Sequence, residues 1–168
     1  MQDPTLPPED IDWKEYVSVK PAFKVLLPTT PQHAEESVPL PAAQGMMKYD
    51  LYLSQSKSGA TFMISVIEYP EGYDMSNQQS LLEGVQKEML MGNEKNKLVD
   101  SSQGMFQSSL ALDFMLESPE IVTKSKAFIH GRRLYVLTVV DRVKGHLLSH
   151  FNKFTGTFEI NDETPKTP

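Results

Sequence analysis

Two histidines near the C-terminus have the spacing of a metal-binding pair. His146 and His150 lie four residues apart in a segment with helical periodicity, so both imidazoles would face the same side. A zinc site needs a third ligand, and none lies at a recognisable spacing, nor is there an H-E-x-x-H motif. Leu147 and Phe151 define the buried stripe of this helix, so the histidines are expected beside it as an exposed or rim pair. They are weak metal candidates, and the sequence predicts neither a metal nor another cofactor.

Other polar residues give weaker signals for chemistry. Asp50 and Asp113 each lie on the polar side of a strand and could face each other, but two solvated aspartates are the simpler interpretation. His33, in a Pro-rich connection, and His130, at a turn, are expected to face solvent. The chain has no cysteine, no Gly-rich phosphate loop and no G-x-S-x-G elbow, which excludes thiolate chemistry and disfavours the usual serine hydrolases. We therefore expect no catalytic centre.

Arg132 and Arg133 are the polar residues best placed for binding. They follow Gly131 in a tight turn, and a rigid turn is a good place to present a guanidinium group. Residues 121–154 hold seven Lys or Arg against one Asp, and Lys124 and Lys126 are among them. Two interpretations stay open. These residues neutralise acidic neighbours or cap carbonyls within the fold, or the four form a patch for an acidic protein partner.

The composition narrows the classes of partner. The net charge of −6 argues against general nucleic-acid binding and against docking on anionic lipid. There is no run of about 18 apolar residues, so the sequence predicts no transmembrane helix. The Pro-rich start carries no charged-then-apolar leader, which fits either a cytoplasmic protein or one that follows a removed leader.

A hairpin from Ala127 to Val140 is the segment around which the other elements are expected to assemble. Gly131 can supply the positive φ that a short hairpin turn needs. From Leu134 onward the outgoing strand is apolar on both faces, which is typical of a strand in the middle of a sheet covered on both sides. We therefore predict that it is the central strand.

The remaining elements predict an α+β domain with a mainly antiparallel central sheet flanked by helices on both faces, an α/β/α layered sandwich. Helices are expected over Ser76–Met91 and from Val143 to Gly156. Further strands are expected at Trp13–Val19, Phe23–Leu27, Met47–Leu53, Thr61–Tyr69, Lys97–Phe106, Leu110–Leu116 and Ile121–His130, with a short edge strand near Ser37. Residues 1–12 are expected to be a disordered leader, 13–160 one domain, and 161–168 a disordered tail.

Three short motifs resemble the PsbP-like superfamily. An apolar strand ending in proline opens the domain at Phe23 to Pro28, a G-x-R-L-Y-x-L-x-V strand runs from Gly131 to Val139, and an F-x-x-S-F-x-I type segment closes it at Phe154 to Ile160, with Thr157 in place of the usual Ser. The superfamily includes the PsbP proteins of the photosynthetic lumen, the yeast Ran-binding Mog protein and many bacterial proteins of unknown role. The resemblance spans about Trp13 to Ile160 and implies a PsbP-like fold.

The resemblance implies a non-catalytic binding or assembly module. We expect such a module to be exported, periplasmic or elsewhere in the cell envelope, and monomeric, with an acidic protein partner. Charge reversal at Arg132 and Arg133 should then abolish partner binding while leaving the melting temperature unchanged. The alternative is a small acidic cytoplasmic chaperone or adaptor for secreted proteins, which predicts a homodimer with an exposed apolar groove. An enzyme would need a deep cleft with converging polar groups.

Overall fold

The computed structural model describes residues 10–40, 45–142 and 144–161, which form ten strands and two helices. The elements are β1 (Lys14–Val19), β2 (Ala22–Leu27), β3 (Gln32–Pro39), β4 (Met46–Gln55), β5 (Thr61–Glu68), α1 (Gln78–Met91), β6 (Lys97–Phe106), β7 (Ser109–Glu117), β8 (Val122–His130), β9 (Arg133–Asp141), α2 (Lys144–Thr157) and β10 (Glu159–Ile160). The predicted disordered leader and tail lie mostly outside the described residues. Among the described residues, neither helix is both long and apolar enough to span a membrane.

Seven strands form one antiparallel sheet in the order β3-β4-β5-β9-β8-β7-β6. β9 is the fourth of the seven, which confirms the predicted central strand. A two-residue loop joins it to β8, because His130 pairs directly with Arg133. Gly131 in this loop has φ of 62°, a conformation that favours glycine, so the predicted turn is also confirmed.

The two faces of β9 pack into two separate clusters of buried side chains. Tyr135, Leu137 and Val139 point into the larger cluster, together with residues of β2, β4, β5 and α2. Leu134 and Val136 point into the smaller cluster, which contains Leu82 of α1. Successive residues of a strand face opposite ways, so the continuous apolar run from Leu134 to Leu137 contributes to both clusters.

A second sheet of three strands, in the order β1-β2-β10, was not predicted. It shares the larger cluster with α2, and Phe23 of β2 stacks on Phe158 with ring centroids 5.2 Å apart. The mainly antiparallel α+β class is therefore confirmed. The predicted sandwich, with helices as the cover on both faces, is not confirmed in that form, because a sheet supplies much of the cover on one face.

The ends of several elements differ from the sequence prediction. α1 begins two residues later than expected, after Asn77, whose side chain accepts a hydrogen bond from the Ser80 amide at 3.1 Å. α2 runs through Gly156 to Thr157 instead of ending at the glycine. β3 spans eight residues where only a short strand near Ser37 was expected. Seven of those eight are exposed, so the strand lacks the apolar alternation that would reveal it.

Candidate functional site

Arg132 holds the connection between β5 and α1. Its guanidinium donates hydrogen bonds to the backbone carbonyls of Tyr69 at 3.2 Å, of Pro70, and of Tyr73 at 2.7 Å. The Tyr69 amide in turn donates to the Arg132 carbonyl at 2.9 Å. The predicted binding residue is therefore engaged within the fold, and it satisfies carbonyls that the connection leaves outside any ladder.

Arg133 forms a cross-strand ion pair with Glu68. The two residues are directly paired between β5 and β9, and Arg133 Nε donates to Glu68 Oε1 at 2.8 Å. Burial alone would lower the pKa of Arg133, but the bond to Glu68 and the neighbouring Tyr135 raise it above its ordinary value. Both arginines also line an open depression at the end of the hairpin, beside Glu68 and His130.

Lys126 and Lys124 lie on the face of β8 that carries α2. Lys126 Nζ donates to both carboxylate oxygens of Asp113, at 2.8 and 2.9 Å, and lies 5.2 Å from the centre of the Phe106 ring. Lys124 Nζ lies 5.2 Å from the centre of the Phe151 ring. Within residues 10–40, 45–142 and 144–161, Lys124 has no ion pair.

The four basic residues do not form one compact patch. Arg133 pairs with His130 beside the turn, and Lys126 lies four residues further along β8, roughly 13 Å away at about 3.3 Å per residue. Arg132, Arg133 and Lys126 have the internal partners that the first interpretation expected. Lys124 is the member whose charge the described residues leave unpaired. A role toward a partner remains a prediction for all four.

His146 and His150 were expected as an exposed or rim pair, but His150 is buried, whereas His146 is half-buried. The His150 side chain is only 4% exposed, and its ring lies 6.3 Å from Trp13 and 5.9 Å from Phe62. The buried stripe of α2 is wider than predicted, because His150, three residues after Leu147, also faces the core. His150 Nδ1 lies 3.8 Å from Asp141 Oδ2. In the part of the chain that is described, no group of three ligand atoms forms around these imidazoles.

Asp50 and Asp113 do not face each other. Their strands β4 and β7 are separated by β5, β9 and β8, which places them roughly 19 Å apart at about 4.8 Å per strand. Asp113 pairs with Lys126. Asp50 is 4% exposed, so the interpretation of a solvated aspartate is wrong for this residue.

Asp50 belongs to a cluster that the sequence analysis missed. His33 lies on β3 and not in a loop, and its Nε2 atom is 2.7 Å from Asp50 Oδ1. Glu35 is the direct cross-strand partner of Asp50. One ligand atom from each of the three side chains lies within 4.8 Å of the others. Alternation along β3 would put His33 and Glu35 on one face, but the register with β4 that brings in Asp50 is not readable from the sequence.

Tyr52 fixes the orientation of this cluster. The His33 ring stacks on the Tyr52 ring, with centroids 4.1 Å apart and an angle of 10° between the planes. The Tyr52 hydroxyl is hydrogen-bonded to Ser18 Oγ at 3.0 Å, which connects the cluster to the three-stranded sheet. Burial raises the pKa of Tyr52 to about 12, and the negative charge of Asp50 contributes in the same direction.

We expect Tyr52 and Tyr69 to ionise at much higher pH than ordinary tyrosines. Burial raises the pKa of each to about 12, from 10.0. A folded-state pKa above the unfolded value means that the contribution to stability is complete below pH 10 and is lost as the pH rises through 12. In an ultraviolet titration, phenolate absorbance should still be rising near pH 12, and Tyr52→Phe should reduce this late rise. Ionisation of all six tyrosines near pH 10, with the fold intact, would contradict this.

The arrangement of sheets and helices is that of a PsbP-like fold, as the resemblance implied. The solution structure of cyanobacterial PsbP (CyanoP) from Synechocystis sp. PCC 6803 matches it with a TM-score of 0.62, over 91% of this chain and 95% of that chain. The two sequences are 8% identical, so the likeness shows the fold. A scan of protein-family models finds no match to this chain, and a search of curated proteins finds none either.

Proposed function

We propose that this chain is a non-catalytic protein-binding or assembly module that acts in the cell envelope. The PsbP-like fold supports this proposal, because the better-known members of the superfamily that the sequence resembles are binding or assembly proteins. The absence of cysteine is compatible with an oxidising compartment. The charge distribution, acidic overall with a basic segment at 121–154, favours an acidic partner over nucleic acid.

The choice of surface rests on one observation, namely that the Lys124 ammonium group forms no ion pair with any residue that the structure describes. Its position on β8, next to the central strand and against the Phe151 ring, gives it a rigid support. A carboxylate of a partner could therefore form an ion pair with Lys124 without displacing an ion pair among the described residues. Lys126, Arg132 and Arg133 have internal partners, so we assign them a weaker, supporting part in the same contact.

Lys124→Glu is expected to abolish retention of the partner by the immobilised protein in an extract of the native cells. The matched control is Lys87→Glu on α1, an exposed lysine that belongs to the helix packed against the opposite face of the sheet. It should retain the partner, as the wild type does. Mass spectrometry of the retained proteins gives the readout. Loss of the contact with Phe151 should cost on the order of 1–2 kcal/mol, and circular dichroism of both variants checks that they are folded.

The proposed surface would be wrong if Lys124→Glu kept the partner at the wild-type level. It would also be wrong if both variants lost the partner equally, because binding would then depend on total charge and not on this face of β8.

We also propose that the module is a monomer. Size-exclusion chromatography with light scattering should give the mass of one chain across the micromolar range of protein concentration. A stable dimer would favour the alternative function, a cytoplasmic chaperone or adaptor for secreted proteins, since that function requires two copies to build an apolar groove.

A further inference from the structure

We propose that His33, Glu35 and Asp50 form a binding site for a divalent metal ion of borderline softness, of which Zn²⁺ is the natural probe. The site lies at the β3–β4 edge of the seven-stranded sheet. One imidazole nitrogen and two carboxylate oxygens supply three protein ligands, and water would fill the remaining coordination positions.

The backbone places these three ligands on one face of the sheet. His33 and Glu35 are two residues apart on β3, so their side chains point the same way. Glu35 pairs with Asp50, and His33 pairs with Tyr52, which is two residues further along β4. Strand pairing therefore brings the three residues together, and the rotamer of Glu35 sets how near its carboxylate lies to the other two ligands.

The distances between the ligand atoms are close to those of a bound site. Ligand atoms about 2.0–2.2 Å from a tetrahedral zinc lie roughly 3.3 Å from one another. His33 Nε2 and Asp50 Oδ1 are 2.7 Å apart, and the atom of Glu35 completes a group within 4.8 Å. To coordinate one ion together, His33 and Asp50 would have to separate slightly and the exposed Glu35 side chain would have to swing inward. The metal takes the place of the proton on Nε2.

The electrostatics of the site also favour a cation. Asp50 is 4% exposed, and its hydrogen-bond partner among the described residues is the His33 imidazole. Burying a carboxylate is costly unless a cation or several donors compensate it. Glu35 adds a second negative charge, and no Lys or Arg of the described residues forms an ion pair with either carboxylate. A divalent ion would compensate both charges at once.

Tyr52 and Ser18 fix the orientation of the His33 imidazole. The ring of His33 stacks on Tyr52, and the Tyr52 hydroxyl bonds to Ser18 Oγ, so the orientation of the imidazole is set before an ion arrives. Seven of the eight residues of β3 are exposed. A bound ion would therefore tie an otherwise solvent-covered edge strand to the buried Asp50, which should make the edge of the sheet more stable.

Isothermal titration of chelator-treated protein with Zn²⁺ alone tests this site. The wild type should bind one ion per chain, while Mg²⁺ should neither bind nor compete, because the imidazole ligand disfavours hard cations. His33→Ala, Asp50→Asn and Glu35→Gln should each weaken binding by about 100-fold or more. Glu35 is exposed, so Glu35→Gln poses little risk to folding. His130→Ala, which removes an exposed histidine at the hairpin turn, should bind as the wild type does.

Three outcomes would overturn the proposal. The first is a wild type without stoichiometric binding at micromolar Zn²⁺. The second is unchanged binding by His33→Ala and Glu35→Gln. The third is loss of the ion in His146→Ala but not in His33→Ala, which would place the metal at the histidines of α2.

Discussion

Phe158→Ala is expected to lower the free energy of unfolding by about 3–5 kcal/mol. Phe158 is fully buried, and its ring contacts Phe23 of the three-stranded sheet as well as Phe128 and Tyr135 of the seven-stranded sheet, with centroids 5.2, 5.9 and 5.9 Å away. The Phe158 side chain thus packs against both sheets at once. Removing its ring leaves a cavity that three rings at fixed positions cannot fill.

Urea unfolding followed by circular dichroism measures this effect. Leu148→Ala is the matched control, since Leu148 lies on α2 with 43% of its surface exposed. It should change the free energy of unfolding by no more than about 0.5 kcal/mol. A loss below about 1 kcal/mol for Phe158→Ala would contradict the tight packing of this ring between the two sheets.

Arg132→Ala is expected to lower the free energy of unfolding by about 2–3 kcal/mol. The guanidinium donates to the carbonyls of Tyr69, Pro70 and Tyr73, and a charged donor shared among carbonyls is worth more than a neutral one. Alanine would leave the carbonyls of Tyr69 and Tyr73 without this donor, while the Pro70 carbonyl would keep its hydrogen bond from the Tyr73 amide at 2.9 Å. The melting temperature should fall, which corrects the expectation from the sequence that charge reversal at Arg132 would leave it unchanged.

Two variants separate this role from a general effect of charge. Arg142→Ala removes the same charge from an exposed position and should leave the melting temperature within a degree or two of the wild type, about the size of a surface effect. Arg132→Lys keeps the charge but lacks the planar fork, so it should recover only part of the lost stability. If Arg132→Ala were as stable as the wild type, the connection between β5 and α1 would not depend on the hydrogen bonds of Arg132.

The sequence predicted the middle of the large sheet because that part depends on local signals. Apolar residues on both faces of β9 indicated burial on both sides, and Gly131 marked the turn. Core strands must be apolar to be stable, so their pattern is visible in the residues themselves. α1 was found for the same reason, since a stripe with helical spacing packs against the sheet.

Elements at the edges of the fold were harder to predict. β3 buries no side chain fully, and most of its residues are polar, so no apolar alternation marks it as a strand. The second sheet depends on β10 pairing with β2, two segments that are far apart in the chain, and nothing in either segment specifies the other. Apolar periodicity finds elements, but it does not specify which distant strands pair.

In the candidate sites too, single residues could be predicted from the sequence, but their partners could not. Arg132 and Arg133 were singled out as binding residues because a turn was predicted, yet their partners at Glu68 and Tyr69 depend on the pairing of β5 with β9. The cluster of His33 and Asp50 depends on the register between β3 and β4. A polar side chain is visible in a sequence, whereas the group that it meets is a property of the assembled sheet.

Zero-length carbodiimide crosslinking in native cell extract, followed by peptide mapping, tests the proposed binding surface most directly. The reagent joins an amine to a carboxylate already in contact, so it should join Lys126 to Asp113 and Lys24 to Glu159, internal pairs 2.8 and 3.1 Å apart that report on the fold. We predict that Lys124 is joined to an acidic residue of another protein and that Lys87 is not. Internal links without any link from Lys124, or a partner joined through Lys87 instead, would contradict the proposed surface.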